Sequence, residues 1–437
     1  MTPDARLAAT LELFELVRDA ALSGGAAADN IIRGYFRRRR YAGSKDRRDI
    51  TGNIYAILHD HEALAWRVGE AGGEVSARSL VIAWRVVMGE DPREQFIGGK
   101  YAPQPLDDDE KAFCARLGAL NTEPSETTRL NCPKWLESAL RARFGEEFAA
   151  AMQELNGRGL ATFRVNTLKM RREEAVAKLA LEEAEIKPTR HSPWGFTLAA
   201  QATNIRAHAL FKSGAVEVQS EASQIASLLV DARPGMQVLD LCAGAGGKSL
   251  ALAASMENKG QIHAADINAR RLGRLKDRYR RAGARNIQTI LLPEDSGARN
   301  AALSHCAAAM DRVVVDVPCT GTGTWKHNPE LRLRINVDWL ETLVKTQAEL
   351  LAEASGYVKP GGRLVYITCS LLAEENEAQV EKFLASHEGW SILRPDAAWL
   401  ETGSDFPLDG LSKLEGTLQL NPVDGLDGFF VAVLKAP

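Results

Sequence analysis

Between residues 236 and 369, five short apolar runs alternate with helix-forming stretches, and this alternation limits the possible folds more than any other feature. The runs are "MQVLDLCA", "GQIHAADI", "NIQTILL", "DRVVVDVP" and "GRLVYITC". "ARRLGRLKDRYRRAGA" and "VDWLETLVKTQAELLAEAS" are among the helical stretches between them. Strands separated by helices must be joined by crossovers, which predicts an α/β fold with a doubly wound, mostly parallel sheet. Ligands of such sheets bind at the carboxyl ends of the strands.

The fifth run raises a question. Arg363 to Thr368 is β-branched and aromatic, begins at a Pro360-Gly361-Gly362 turn and runs straight into Cys369. Acidic, helix-forming residues follow at once. This puts a thiol at the lip of the sheet, on the ligand-binding edge, where a buried structural cysteine would more naturally sit mid-strand.

The first run leads into "VLDLCAGAGGKSLALA". Gly244, Gly246 and Gly247 permit a tight turn and close backbone approach. A phosphate-cradling P-loop would need glycine at Cys242, and the dinucleotide fingerprint would need it at Ser249, so both patterns break. An acidic strand end, Asp240, beside a short glycine loop suits a ligand with a positive charge and no phosphate, a profile that fits S-adenosylmethionine. Asp266 ends the second run, where a carboxylate can accept two ribose hydroxyls. Asp295, after the third run, is positioned to serve an adenine amino group, and its neighbour Glu294 competes for that role. The alternative is a tight strand–helix turn with solvated carboxylates.

The fourth run reads "VVVDVPCTGTGTW", placing Asp316, Pro318 and Cys319 at its end. The fourth and fifth strands should be neighbours, so Cys319 and Cys369 should face one cleft. Methyl transfer to oxygen or nitrogen needs little beyond a base and positioning. Two thiols point to a carbon that must first be made nucleophilic, such as carbon 5 of a pyrimidine. A thiolate adding to carbon 6 does this. Asp316 can bond the N3/N4 edge of the ring, selecting cytosine. A single cysteine here would more often be a small buried hydrophobe.

The motifs "DLCAGAGGK", "DVPCTGTGT" and "YITCS" resemble those of bacterial RNA cytosine-5 methyltransferases of the RsmB/Sun type. "GAVEVQSEASQIASLL", 214–229, resembles the segment leading into that catalytic domain, and "FRVNTLK", 163–169, resembles its preceding module. The helical first 130 residues resemble a NusB-like RNA-binding domain. The resemblance implies a Rossmann-like class I methyltransferase domain over 216–437, a small α/β module over 131–215 and an all-α domain over 1–130. It implies cofactor contacts from Cys242, Ala243, Gly244, Ala245, Gly246, Gly247, Lys248, Asp266, Asp295 and Asp316. It makes Cys369 the nucleophile and Cys319 the group that assists release, with Asp316 on the base. Ala245 stands where the family usually has proline, and Gln219-Ser220-Glu221 departs mildly from the usual Gln-Asp-Glu. The implied activity is S-adenosylmethionine-dependent methylation of an RNA cytosine, with small-subunit ribosomal RNA as the expected substrate. The alternatives are the same chemistry on tRNA and a non-catalytic RNA-binding assembly factor.

Charge qualifies the RNA reading. Lys and Arg number 54 against 57 Asp and Glu, a net charge of −3, so any polyanion site must be a local patch. Arg33 to Arg48 holds eight Lys/Arg against one Asp, with Tyr35, Phe36 and Tyr41 interleaved. This segment could bind phosphates and stack on unpaired bases, with a solvated helix face as the alternative. Arg270 to Arg285 also holds eight, but Leu272, Leu275, Tyr279 and Ala282 form a core-facing stripe, with Arg274, Arg278, Arg281 and Arg285 facing away. The start lacks a signal-peptide core and no apolar run is long enough to span a bilayer, so no membrane association and a cytoplasmic location are expected. The six cysteines form no C-x-x-C pair, and His59 and His61 cannot share a helix face, so no metal is expected. A monomer is expected.

Overall fold

The computed structural model describes residues 1–157, 159–180, 186–198, 205–395 and 412–437. The chain divides into two compact units, Met1–Arg158 with Thr324–Asn336, and Gly159–Gly323 with Val337–Pro437.

The described residues of the first unit form helices. Thr2 Oγ accepts the Ala5 N–H at 3.2 Å and Pro3 occupies the first turn, so the helix Pro3–Leu22 starts where its capping signal lies. Leu7, Phe14, Val17 and Ala21 of its stripe are buried. "DNIIRGYFRRRRYAG" forms Ala28–Arg38. Two helices follow, Ser44–His59 and His61–Glu70, parted at Asp60. The Pro/Asp-rich loop at 101–110 ends in a helix start. The Asp107 carboxylate accepts the Glu110 N–H at 2.8 Å and Glu110 accepts the Asp107 N–H at 3.2 Å, which opens Asp108–Gly118. After Pro133, Gly145 with φ of +56° ends the helix Glu137–Phe144 before Phe148–Asn156 begins.

The segment Thr324–Asn336 interrupts the sequence of the second unit and packs in the first. Leu333 joins the helical core. A Glu330 carboxylate oxygen accepts the Ala28 N–H at 3.1 Å, supplying the helix cap that Ala27 cannot.

The second unit contains two sheets. The smaller is antiparallel, ordered β2-β3-β1-β4, from β1 (Ala161–Val165), β2 (Ile186–Pro188), β3 (Gly195–Leu198) and β4 (Val216–Val218). The helix Arg172–Ala180 buries Ala175 and Leu179 against Phe163, Val165 and Phe196.

The larger sheet contains the five expected strands, β5 (Gln237–Asp240), β6 (Gln261–Asp266), β7 (Ile287–Leu291), β8 (Met310–Asp316) and β9 (Val358–Thr368). It adds β10 (Ser391–Leu393), β11 (Leu418–Gln419) and β12 (Phe430–Lys435). The order is β10-β12-β9-β8-β5-β6-β7, with β11 paired to β12. β5 through β9 are mutually parallel, and β12 runs antiparallel to β9 with Phe430 opposite Thr368. Core clusters lie on both faces, as parallel sheets require. The order reverses between β5 and β8, which places the ligand-binding crevice at the ends of β5, β6 and β8.

Candidate active site

A cavity of about 690 Å³ opens at this crevice. Its lining includes Asp240, Asp266 and Asp316, one from each strand end, together with Cys319 and Cys369.

The glycine loop forms its floor. Gly246 has φ +81°, where a side chain is strained, and a Cβ there would also collide with Leu275. This glycine therefore permits both the turn and the close packing of the helix Ala269–Ala282. The Asp266 carboxylate bridges two backbone amides, accepting Gly244 N–H and Asn268 N–H at 2.7 Å each. Lys248 Nζ donates to Asp316 Oδ2 at 2.6 Å. The Asp240 carboxyl is buried and accepts the Ser249 hydroxyl at 2.6 Å, while its other oxygen has no partner. Burial pushes this carboxyl up to about 7, with the nearby carboxylates adding to the rise. Four carboxylates line the cavity, Asp240, Asp266, Asp316 and Glu349, against Lys248, Arg271 and Arg299, and the unpaired buried oxygen of Asp240 suits a ligand that carries positive charge. Burial also drives the Cys242 thiol well above its usual range.

The two thiols lie at the ends of adjacent strands. Cys319 Sγ and Cys369 Sγ are 3.2 Å apart, and the Cys369 N–H points to Cys319 Sγ at 3.3 Å. The hydrogen bond with Cys369, followed by burial, holds Cys319 well above the ordinary thiol range. Beneath them lies a buried polar network that the motifs did not reveal. Glu375 accepts the Thr320 N–H at 2.8 Å, the Gln347 amide at 2.9 Å, and the hydroxyls of Thr320 and Ser370. Thr320 follows one thiol and Ser370 follows the other, so a single carboxylate ties both cysteine turns together. Asn376 adds bonds to Thr368 at 2.6 Å and to the Ser370 carbonyl at 2.9 Å.

Cys242, Ala243, Gly244, Ala245, Gly247, Lys248, Asp266 and Asp316 all line the cavity, and Gly246 completes the loop between them. Asp295 does not line it. Its carboxylate accepts the Ala298 N–H at 2.8 Å and caps the helix Ser296–Ala302, a use of aspartate that a motif-based assignment does not separate from ligand binding. Leu292 and Arg299 line the cavity on that side instead.

Arg278, expected on a solvated face, reaches back to the loop. Nη1 donates to the Ala245 carbonyl at 2.6 Å, and Nη2 pairs with Glu217 at 3.0 Å. Arg281 shares that carboxylate at 2.5 Å. Leu272, Leu275 and Ala282 are buried as the periodicity predicts.

The basic segment of the first unit is more mixed than its sequence. Tyr35 and Phe36 are buried and cannot stack on bases, while Tyr41 is 72% exposed. Arg39 pairs with Glu12 and lies over the Tyr35 ring. Arg33, Arg37, Arg38, Arg40, Lys45 and Arg48 are exposed. Among the described residues no helix is long and apolar enough to cross a membrane.

Comparison with known proteins places the chain in a family. Residues 227–435 match the family model described as 16S rRNA methyltransferase RsmB/F, and residues 132–206 match the RsmF/B-like ferredoxin-like domain. Ribosomal RNA small subunit methyltransferase B of Pseudomonas syringae pv. tomato is 31% identical over 315 residues, 72% of this chain and 68% of that protein. A probable ribosomal RNA small subunit methyltransferase B of Synechocystis is 32% identical, over 69% of this chain and 66% of that protein. The crystal structure of PH0851 superimposes with a TM-score of 0.77 at 26% identity, covering 99% of both chains. With its strand-end carboxylates, glycine loop and paired thiols on a sheet of this order, the chain belongs to the RsmB/F family of 16S rRNA methyltransferases.

Proposed function

We propose that the protein methylates carbon 5 of a cytosine in small-subunit ribosomal RNA, using S-adenosylmethionine and a covalent cysteine–cytosine intermediate. The observation that carries this reading is the pair of sulfurs 3.2 Å apart inside the cavity at the strand ends. Methylation of a heteroatom gives no reason for two apposed thiols.

S-adenosylmethionine, when bound, supplies a methyl group on a positively charged sulfur. The residues fit such a group: Asp266 can accept the ribose hydroxyls, the glycine loop leaves room for close approach, and the unpaired Asp240 oxygen suits a positive charge. The target cytosine must leave its stack to enter the cavity. Cys369, its proton passed to solvent, bonds through its thiolate sulfur to carbon 6, which makes carbon 5 a nucleophile able to take the methyl group. Lys248 holds Asp316 at the cavity wall, where its carboxyl can meet the N3/N4 edge of the ring.

Cys319 retains its proton in the resting protein because Cys369 and burial both hold it high. Once Cys369 is bonded to carbon, the sulfur–sulfur hydrogen bond is gone and the first of those causes disappears. Cys319 then gives up its own proton to solvent more readily, and as thiolate it accepts the carbon-5 proton. Departure of that proton restores the double bond, the carbon–sulfur bond breaks and Cys369 leaves as thiolate.

The names of the relatives support ribosomal RNA over tRNA, and the intact thiols and Asp316 argue against a non-catalytic assembly factor. Mapping 5-methylcytosine in RNA from cells with and without the protein tests the reading. A single small-subunit rRNA cytosine that loses its methyl group is expected. Loss confined to tRNA, or no loss at all, overturns it.

A further inference from the structure

A second cluster of metal-ligating side chains lies on the opposite face of β6 from the cofactor carboxylate. Strand periodicity sends His263 and Ala265 to one face and Asp266 to the other. On the His263 face, the turn Ser304–Cys306 brings up two more donors immediately before β8. The donor atoms of His263, His305 and Cys306 all lie within 4.8 Å of one another. The geometry points to a binding site for a zinc-class divalent cation formed by His263, His305 and Cys306.

Burial and chemistry support this. His263 is 7% exposed and its Nδ1 is buried without a hydrogen-bond partner, a cost that a metal bond would remove. The Cys306 side chain is fully buried beside it. His305 is exposed and gives an entry path. The two imidazole rings meet edge-to-face with centroids 5.0 Å apart. Burial lowers the pKa of His263, which favours the neutral form that ligates. Two imidazoles and a thiolate select zinc-like ions over magnesium or calcium. Tetrahedral zinc sets its donors roughly 3.3 to 3.8 Å apart. Rotation of the exposed His305 can shorten its distances to the other two donors, and closing of the turn onto β6 would have to supply the rest.

Three protein donors leave a fourth position for water. The site lies about 10 Å along the strand from Asp266, three residues at ~3.3 Å each. Its effect would therefore be to clip the turn before β8 onto β6, holding together the two strands whose ends carry Asp316 and Asp266. Burial pushes the Cys306 thiol up to about 11, so binding at neutral pH must displace that proton into solvent.

The test uses the full-length protein, freed of metal by a chelator and titrated with Zn²⁺ against a chromophoric competitor. Co²⁺ then serves as a probe, since cobalt–thiolate bonds absorb in the near ultraviolet. One equivalent is expected to bind with a thiolate band. His305→Ala and Cys306→Ser should each weaken binding at least tenfold and remove the band, with S-adenosylmethionine affinity unchanged. His305→Ala alters an exposed side chain and so keeps the test valid if Cys306→Ser fails to fold. Absence of binding in the unaltered protein overturns the proposal. So does a band that survives His305→Ala and vanishes in Cys319→Ala, which would assign the metal to the catalytic thiols.

Discussion

The backbone N–H of Cys369 points at the sulfur of Cys319, 3.3 Å away, while the two sulfurs themselves sit 3.2 Å apart. One thiol thus serves as hydrogen-bond partner to both the main chain and the side chain of the other. This asymmetry gives the two cysteines distinct expected phenotypes. Cys369→Ser should abolish turnover and form no covalent RNA adduct, since a hydroxyl is far less acidic than a thiol while nearly matching its shape. Cys319→Ala should form the adduct and stall, giving a methylated RNA–protein species that survives denaturing electrophoresis. The reverse pattern would transfer the nucleophile's role to Cys319.

Arg278 should act as a positioning residue for the cofactor loop. Its guanidinium holds the Ala245 carbonyl in the middle of the glycine loop. Arg278→Ala should leave that carbonyl and part of the buried Glu217 carboxylate without donors, at a cost of about 1 to 3 kcal/mol. The expected result is a KM for S-adenosylmethionine raised roughly tenfold with kcat nearly unchanged. Ala245→Pro in that background should restore part of the affinity. An equal fall in kcat with unchanged KM would show that the loop does not depend on this hydrogen bond.

Asp240 should make cofactor affinity depend on pH. Its carboxyl is raised from the usual aspartate range to about 7, burial being the main cause. The ionised form attracts a positively charged ligand, so affinity for S-adenosylmethionine should rise as pH increases through 7. The stability effect has the opposite sign. A carboxyl raised on folding contributes stability that is complete below its unfolded value and is lost as pH rises from about 4 through about 7. Asp240→Asn should flatten both profiles, measured by calorimetry and by thermal unfolding between pH 5 and pH 8. A wild-type affinity that is constant over this range would remove Asp240 from cofactor binding.

The five parallel strands and the loop between β5 and its helix were legible because each is a contiguous pattern. "MQVLDLCA" announces a strand and "GAGGK" a turn without help from elsewhere in the chain. The partners of those elements were not legible, since they come from distant sequence. Glu375 meets Thr320 across 55 positions and Arg278 meets Ala245 across 33. No local period encodes either meeting. β12 is a plain apolar run, and nothing in "FFVAVLK" tells that it runs antiparallel. The capping role of Asp295 was hidden for a related reason, because a residue after a strand is equally well placed to bind a ligand or to cap the next helix. Tyr35 and Phe36 looked like stacking platforms among arginines, yet they lie on the buried stripe of an amphipathic helix.

With Tyr35 and Phe36 buried, RNA binding by this segment should fall to its arginines. Arg37, Arg38 and Arg40 are exposed, whereas Arg39 is held by Glu12. The triple change of Arg37, Arg38 and Arg40 to alanine should weaken RNA binding and reduce the salt slope by about 0.7 to 0.9 for each phosphate no longer neutralised. Arg39→Ala alone should change the slope little. Fluorescence anisotropy at a series of salt concentrations separates the two variants, and cofactor affinity should stay constant in both.

Gly428 donates its N–H to the Gly323 carbonyl at 2.8 Å, and a Cβ on Gly323 would collide with the Gly428 backbone. The turn that carries Cys319 is therefore braced by a residue made more than a hundred positions later, just before the strand that pairs with β9. During synthesis on the ribosome, the glycine loop and both thiols emerge well before this brace exists. A nascent chain can thus hold the glycine loop and both thiols before the bond that braces the Cys319 turn is able to form.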